Sequence, residues 1–176
     1  MVKGRSIIIL EFKGGHVKPL YDEFWDTSIQ WTRPMEYDSL VVNGSDHDEE
    51  ANFYMIIGRF SNKPTKILYI GMTFEQWVSR RLRQRDHQNR YAAFIKNYAH
   101  HRFQVSHGLL TIHNGNITEK RVKDIEQLLI YSNDSEHSRN LKSIYSHGVT
   151  SSYAIENTGY KCTLPKKISF GLFVAQ

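Results

Sequence analysis

Two charged side chains fall on the apolar faces of helices that the sequence predicts. Successive residues of a helix lie about 100° apart around its axis. In a helix predicted over 74–83, Arg81 lies within the apolar arc and Arg80 lies at its edge. In a second helix, predicted over 118–133, Glu126 again lies within the apolar arc. Ionised groups are seldom buried without a partner, because desolvation costs several kcal/mol, so both positions require an explanation.

An arginine and a glutamate in such positions could act on a phosphate. A guanidinium binds a phosphate through paired hydrogen bonds, and hard divalent cations prefer carboxylate oxygens. Tyr54 and Tyr69, on two neighbouring predicted strands, would add hydroxyl groups to the same site. The alternative is purely structural. In that case Arg81 and Glu126 pair with each other or reach water past the helix edge, and the tyrosines are core residues.

Positive charge is concentrated next to Arg81. The chain has a net charge of +5, and Asp86 is the only acid between positions 80 and 90. The same stretch contains the arginines Arg80, Arg81, Arg83, Arg85 and Arg90. Such a cluster is typical of a solvated face, but on a basic chain it also favours polyanions such as nucleic acids. The acidic run at 46–50 has the opposite bias, and we interpret it as a solvated linker.

The elements that would position these residues follow from hydrophobic periodicity and turn signals. The apolar arc of the helix at 74–83 includes Trp77, which we expect to be buried. The stretch at 16–42 has no clear pattern. The order strand, strand, helix, helix, strand, helix in the centre predicts an antiparallel sheet with helices packed on it, an α+β class. The predicted strands are 6–12, 52–60, 66–72, 102–113, 151–156 and 167–175. The predicted helices are 74–83, 90–99 and 118–133. Thr118 is the expected N-cap of the last helix.

Length and composition favour one domain with extensions. The 176 residues match one hydrophobic core, with 40% hydrophobic residues. We divide the chain into an N-terminal extension of a strand plus loops at 1–50, a core at 51–143, and a β-rich C-terminal extension at 144–176 packed on the same domain. One cysteine, Cys162, excludes an internal disulfide and a cysteine-based zinc site. Without an apolar run of roughly 20 residues, we expect a cytoplasmic protein with no membrane partner.

The ordered set of candidate residues resembles the GIY-YIG nuclease family over about half of the chain. The stretch "NFY" stands where the family has Gly-Ile-Tyr, which makes Tyr54 the counterpart of that tyrosine, and "YIG" at 69–71 matches the second half of the signature. Arg81 fits the arginine that follows, with Arg80 as the alternative. Glu126 in "IEQLLIYSN" resembles the metal-binding glutamate, and Asn140 matches the asparagine that follows that helix.

The chain departs from the family pattern at two places. Asn52 and Phe53 replace the Gly-Ile of the first half-signature. The family often has a histidine one helical turn after the arginine, where this chain has Arg85. His87 follows two residues later, and both positions stay open for that role.

The resemblance implies hydrolysis of a phosphodiester bond in DNA by an α+β core with a β-β-α-(α)-β-α order. Tyr54 would be the base that deprotonates water, and Tyr69 would support it. Arg81 would neutralise charge on the transition state, and Glu126 would hold Mg²⁺ or Mn²⁺. The remaining expected site residues are His87 and Asn140 in the catalytic site, and Arg80, Arg83, Arg85 and Arg90 on the DNA backbone.

Two other functions compete with this hypothesis. The first is a nucleic-acid-binding module on the same fold without activity, for which the Asn52-Phe53 departure is a sign. The second is a histidine-rich metal protein, because the chain has nine histidines, such as His100, His101, His107 and His113. Their spacing matches no tight ligand motif. The biological role stays open between restriction, mobile-element or phage, and repair nucleases. A restriction enzyme would be expected to form a homodimer.

Overall fold

The structure is a computed structural model that describes residues 11–12, 15–60, 64–133 and 148–175. Its main feature is a mixed β-sheet with helices on both faces. The strands are β1 (Glu11–Phe12), β2 (Gly15–Pro19), β3 (Phe24–Trp31), β4 (Met35–Glu36), β5 (Phe53–Arg59), β6 (Lys66–Met72), β7 (Arg102–Ile112), β8 (Ser152–Gly159), β9 (Lys167–Phe170) and β10 (Leu172–Ala175). The helices are α1 (Tyr37–Asn43), α2 (Val78–Leu82), α3 (Arg85–Asn97) and α4 (Glu119–Ser132). None of these four is long and apolar enough to cross a membrane.

The main sheet has the strand order β6-β5-β7-β3-β8-β9, and the short β4 also pairs with β7. The prediction of an antiparallel sheet is wrong at one pair, because β3 and β8 run parallel. Hairpin signals in the sequence report only neighbours along the chain, whereas these two strands are joined by distant contacts. One such contact is the hydrogen bond that Trp31 Nε1 donates to Asn157 Oδ1 at 3.0 Å. A second, small sheet has the order β1-β2-β10.

Strands from both expected extensions join the sheet of the predicted core. The strand β3 lies between β7 and β8, and β9 is the edge strand on that side of the sheet. The opposite edge is β6, which pairs only with β5 among the described strands. The candidate tyrosines therefore lie on the last two strands at that edge.

The two faces of the sheet carry separate hydrophobic cores. Every residue of β5 from Phe53 to Gly58 is buried, which requires a cover on each face. Phe53 and its alternate neighbours pack against α4, where Ile125 is buried. Tyr54 and Ile56 face the other way and pack with buried residues of α1, α2 and α3. Each fully buried large side chain contributes roughly 1.5–3 kcal/mol of hydrophobic stabilisation.

Several predicted elements are confirmed. The strands β5 and β6 pair as an antiparallel hairpin, with a β-bulge between Ile56 and Ile57. The turn residues 61–63 and most of the strand expected at 6–12 lie outside the described residues. The strand β7 and the helix α4 begin and end within one residue of their predicted bounds. Thr118 is the N-cap of α4, and its hydroxyl accepts a hydrogen bond from the backbone N–H of Arg121 at 3.4 Å.

The helix predicted over 74–83 is wrong in its first half. The helix α2 begins only at Val78, because Glu75 has a backbone φ of 52° that no right-handed helix accommodates. Trp77 consequently does not face the core: 51% of its surface is exposed. The strand predicted over 167–175 is likewise divided at Gly171, whose φ of 64° sends β9 and β10 into different sheets.

The acidic run expected to be a solvated linker contains one buried carboxylate. Asp48 is 2% exposed, while its acidic neighbours are in water. Its Oδ1 accepts a hydrogen bond from the backbone N–H of Ser79 at 2.7 Å, and its Oδ2 accepts one from the Ser79 hydroxyl. Its backbone carbonyl accepts a third from the N–H of Val78 at 3.1 Å. Asp48 therefore fixes the beginning of α2.

A buried histidine next to Asp48 leads to a prediction for acid stability. Burial lowers the pKa of His107 from 6.5 to about 4, although Asp48, whose Oδ1 lies 3.9 Å from Nε2, acts to raise it. Because His107 binds a proton more tightly in the unfolded state than in the native state, the free energy of unfolding decreases as the pH falls from about 6.5 to 4. His107→Gln should remove about 3 kcal/mol of the acid-induced loss in unfolding free energy.

Urea denaturation at pH 4 and pH 7 measures this loss. His113→Gln is the matched control, since His113 is exposed at the end of β7. An unchanged pH dependence in His107→Gln would show that His107 does not titrate in this range.

Candidate active site

The hairpin brings the two candidate tyrosines to one face of the sheet. Tyr54 lies opposite Gly71 across the pair of strands, and Tyr69 lies opposite Ile56. Their ring centroids are 6.1 Å apart. A Cβ atom at Gly71 would lie 2.8 Å from Tyr69 Cε1 and closer still to the end of the Tyr54 ring. The glycine of "YIG" is therefore required because both rings lie over its backbone.

His87 reaches the two tyrosines from α3. Its ring centroid lies 5.9 Å from that of Tyr54 and 5.7 Å from that of Tyr69. Its Nε2 lies 3.2 Å from the Tyr54 hydroxyl oxygen, and the histidine is buried. Arg85, the other candidate for this role, is exposed. His87 is thus the one of the two that contacts the tyrosines.

Arg90 also belongs to this group, although the sequence suggested a DNA-backbone contact. Its Nη1 lies 3.0 Å from His87 Nδ1. Its guanidinium carbon lies 4.2 Å from the centroid of the Tyr69 ring, which is a cation–π contact. Arg90 comes one helical turn after His87 on α3. The spacing of three residues between His87 and Arg90, with aromatic residues nearby, is the feature of the sequence that could have predicted this contact.

The contact with Arg90 determines which nitrogen of His87 carries the hydrogen. Burial lowers the pKa of His87 to about 4, and the charges of Arg81 and Arg90 act in the same direction. Asp86, whose Oδ2 lies 3.6 Å from Nε2, opposes this shift without reversing it, so the ring is neutral at pH 7. A guanidinium only donates hydrogen bonds, so His87 Nδ1 must be the acceptor and Nε2 must carry the hydrogen. Nε2–H then donates to the Tyr54 oxygen, which leaves the Tyr54 hydrogen for another acceptor.

We infer that this acceptor is the Tyr69 hydroxyl. Burial raises the pKa of Tyr69 above the ordinary tyrosine value, and the charge of Glu126 acts in the same direction. The charges of Arg90 and Arg81 and a side-chain hydrogen bond with Tyr54 oppose that shift. The pKa of Tyr54 is raised further, again by burial first. Tyr54 is 1% exposed, whereas Tyr69 is only partly buried, so Tyr69 is the hydroxyl nearer to water.

Arg81 extends from α2 towards the same group. Its Nη2 lies 3.5 Å from Asp86 Oδ2, and its Nη1 donates a hydrogen bond to Gln84. The guanidinium is partly exposed, and its charge lowers the pKa values of both Tyr54 and His87. Arg80, the alternative for this role, is exposed. The cation of Arg81 therefore lies close to the tyrosines while remaining open to solvent.

Glu126 approaches from the opposite face of the sheet and meets the site at the β6 edge. The backbone N–H of Met72, the last residue of β6, donates a hydrogen bond to its carboxylate. Burial raises the pKa of Glu126 to about 7, while Met72, Arg81 and Lys123 oppose that shift. The charge of Glu126 in turn raises the pKa of Tyr54 and that of Tyr69. The carboxylate of Glu126 is therefore coupled electrostatically to both tyrosines.

The donor set limits which metal this site could hold. Among the described residues, no three or more histidine, cysteine, aspartate or glutamate side chains are grouped as metal ligands. This gives no support to a histidine-rich metal centre. One carboxylate, Glu126, does fit Mg²⁺ or Mn²⁺, because Mg²⁺ keeps several waters and is often held by one or two carboxylates and the substrate phosphate. Asn140 lies outside the described residues.

The remaining arginines of the cluster face solvent around α2 and the start of α3. Arg80, Arg83 and Arg85 are all exposed. Arg83 is nevertheless held in place, because its Nη2 donates a hydrogen bond to the Ser79 hydroxyl at 3.1 Å. Their charges are therefore available to a polyanion that approaches this side of the sheet edge.

Comparisons with protein-family models, with curated proteins and with solved structures each gave no match to this chain.

The packing over Gly71 generates a prediction for stability. Gly71→Ala should lower the unfolding free energy by roughly 1–3 kcal/mol, the usual cost of inserting a methyl group into a closely packed region. The control is Gly148→Ala, where a Cβ would meet nothing within 4 Å, and its change should stay within about 0.5 kcal/mol. Urea denaturation measures both. Equal stability of the two variants would contradict the close packing of Tyr54 and Tyr69 over the glycine.

Proposed function

We propose that the protein is a metal-dependent DNA nuclease that hydrolyses phosphodiester bonds. The supporting observation is convergence: five different elements supply Tyr54, Tyr69, Arg81, His87 and Glu126 to one edge of the sheet. Coulombic effects on their pKa values link these side chains. A purely structural role would not need an arginine and a glutamate beside two partly or wholly buried tyrosines. The resemblance to GIY-YIG nucleases rests on the same residues.

The electrostatics of the site suit a phosphate. Arg81 and Arg90 bring two permanent cations to a neutral histidine, and Arg81 is partly exposed. A guanidinium binds phosphate oxygens with strong charge-assisted hydrogen bonds, which strengthen further as charge develops in the transition state. The arginines outside the site extend the positive surface that a DNA backbone would follow.

We assign the contact with the attacking water to Tyr69 rather than to Tyr54. Tyr54 is buried, and its hydroxyl lies between His87 and Tyr69, so its part is to donate a hydrogen bond. The donations run from Arg90 to His87, then to Tyr54 and finally to Tyr69. Each donation favours the deprotonated form of its acceptor. Tyr69, after losing its own proton to solvent, would take one proton from water as the water oxygen attacks phosphorus. The bond between phosphorus and the 3′ oxygen breaks in the same displacement, and the leaving 3′ oxygen takes up a proton from solvent.

Glu126 would hold the Mg²⁺ or Mn²⁺, and that cation when bound supplies Lewis-acid stabilisation of charge on the phosphate oxygens.

The two tyrosines can be separated by mutation. Tyr69→Phe should lower the single-turnover cleavage rate by about two to four orders of magnitude, as expected for loss of a general base. Tyr54→Phe removes one hydrogen bond to that base and should cost about ten- to a hundredfold. Because the pKa of Tyr69 is raised above its ordinary value, the rate of the unmodified protein should rise steadily up to pH 10.

Rates at saturating protein from pH 6 to 10 test this assignment. The reverse ranking of the two variants would make Tyr54 the base, as the family resemblance implies.

Glu126→Gln tests the reaction itself. The variant should lose cleavage of supercoiled plasmid in Mg²⁺, because it lacks the carboxylate that holds the cation, and should bind DNA within a few-fold of the unmodified protein. Glu119→Gln, at an exposed position on the same helix, should cut normally. EDTA should abolish cleavage by the unmodified protein.

The outcomes distinguish the nuclease from its main rival. A protein that binds DNA but cuts none in Mg²⁺ or Mn²⁺ is a nucleic-acid-binding module. Normal cleavage by Glu126→Gln would remove Glu126 from the metal site.

A further inference from the structure

A surface cavity of about 460 Å³ borders α2, the helix that carries Arg81. Its size lies within the range of roughly 300–1,000 Å³ that is common for small-molecule sites. It contains an aromatic ring, two guanidinium groups, one amide and one carboxylate. The residues that line it are Glu75, Gln76, Trp77, Arg80 and Arg83.

The aromatic ring of this cavity is unusually exposed. Trp77 has 51% of its surface in solvent, whereas Trp31 is 2% exposed. The backbone turn at Glu75, with its φ of 52°, ends the preceding segment and places Trp77 outside the helix in an extended conformation. Exposing a large indole to water costs hydrophobic free energy. A tryptophan beside arginines on a protein surface is typical of a binding site.

The wall of the cavity is held in place without a ligand. Val78 and Leu82 anchor α2 in the core, each at 0% exposure. Asp48 fixes the start of the helix through Ser79, and Arg83 also bonds to Ser79, with its Nε donating to the carbonyl at 3.3 Å. A ligand would therefore pay little of the entropy that ordering a loop would cost.

We propose that this cavity binds one unpaired nucleotide of the DNA substrate, an inference that rests on the proposed nuclease function. The base would stack on Trp77, and the phosphate would be bound by Arg80. In duplex DNA the faces of the bases are covered by their neighbours, so an indole can stack only on an unpaired or terminal base. Gln76 offers amide groups to the edge of that base, and the carboxylate of Glu75 disfavours a second phosphate in the cavity.

The cavity and the candidate active site share one helix. Arg80 and Arg81 are consecutive residues of α2 and point about 100° apart around its axis. A strand whose scissile phosphate contacts Arg81 would therefore continue past Arg80. The preferred substrate is accordingly DNA with an unpaired segment next to the cleavage point, such as a flap or a branch.

Binding in EDTA tests the proposal, because no strand is cut. The dissociation constant is measured for a duplex with a short unpaired flap and for the fully paired duplex of the same sequence. The unmodified protein should bind the flapped DNA about tenfold more tightly, the scale of one base–aromatic stack. Trp77→Ala should lose that preference and keep its affinity for the paired duplex within about twofold. Tyr160→Ala, at an exposed tyrosine outside the cavity, should retain the preference.

Two results would overturn the cavity assignment: equal binding of both DNAs by the unmodified protein, or an intact flap preference in Trp77→Ala. Plasmid cleavage measured in parallel separates this proposal from the nuclease function. Cleavage without a flap preference overturns the cavity assignment alone. A flap preference that depends on Trp77, without cleavage in any metal, supports the cavity assignment and overturns the nuclease function.

Discussion

The carboxylate of Asp48 is the constraint on which both candidate sites depend. A helix of five residues such as α2 is not stable in isolation, because nucleating a helix fixes several backbone dihedrals for a single hydrogen bond. Asp48 supplies the missing stabilisation by accepting hydrogen bonds from the backbone and the hydroxyl of Ser79. The helix fixed in this way directs Arg81 towards the tyrosines and Arg80 towards the cavity. A buried carboxylate in a loop thus orients two arginines on a neighbouring helix.

The site combines opposite electrostatic demands at the edge of a sheet. Burial keeps His87 neutral and the tyrosines protonated, while Arg81 and Arg90 act in favour of negative charge. The location at β6 makes this arrangement attainable, because helices on both faces of the sheet can reach its edge strand. The two cores support the site from both faces of the sheet, and among the described strands none pairs with the outer side of β6.

Interactions between residues close along the chain were enough to predict several elements of this protein. The hairpin of β5 and β6, the strand β7 and the capped helix α4 follow from alternation, periodicity and the side chain of Thr118, all of which act between residues close along the chain. The same reasoning singled out Arg81 and Glu126, since a charge on an apolar face is visible on a helical wheel. The two neighbouring predicted strands made both tyrosines candidates, and the family resemblance added His87.

The contacts between distant segments could be established only from the folded chain. The parallel pairing of β3 with β8, the burial of Asp48 and the exposure of Trp77 each depend on a partner or a backbone turn that no local pattern specifies. Periodicity reports how residues are spaced along one element, whereas burial depends on what packs against it. The contact of Arg90 with His87 also depends on the folded chain. The spacing along α3 permits this contact, and the Tyr69 ring, which comes from a distant strand, completes the position of the Arg90 guanidinium.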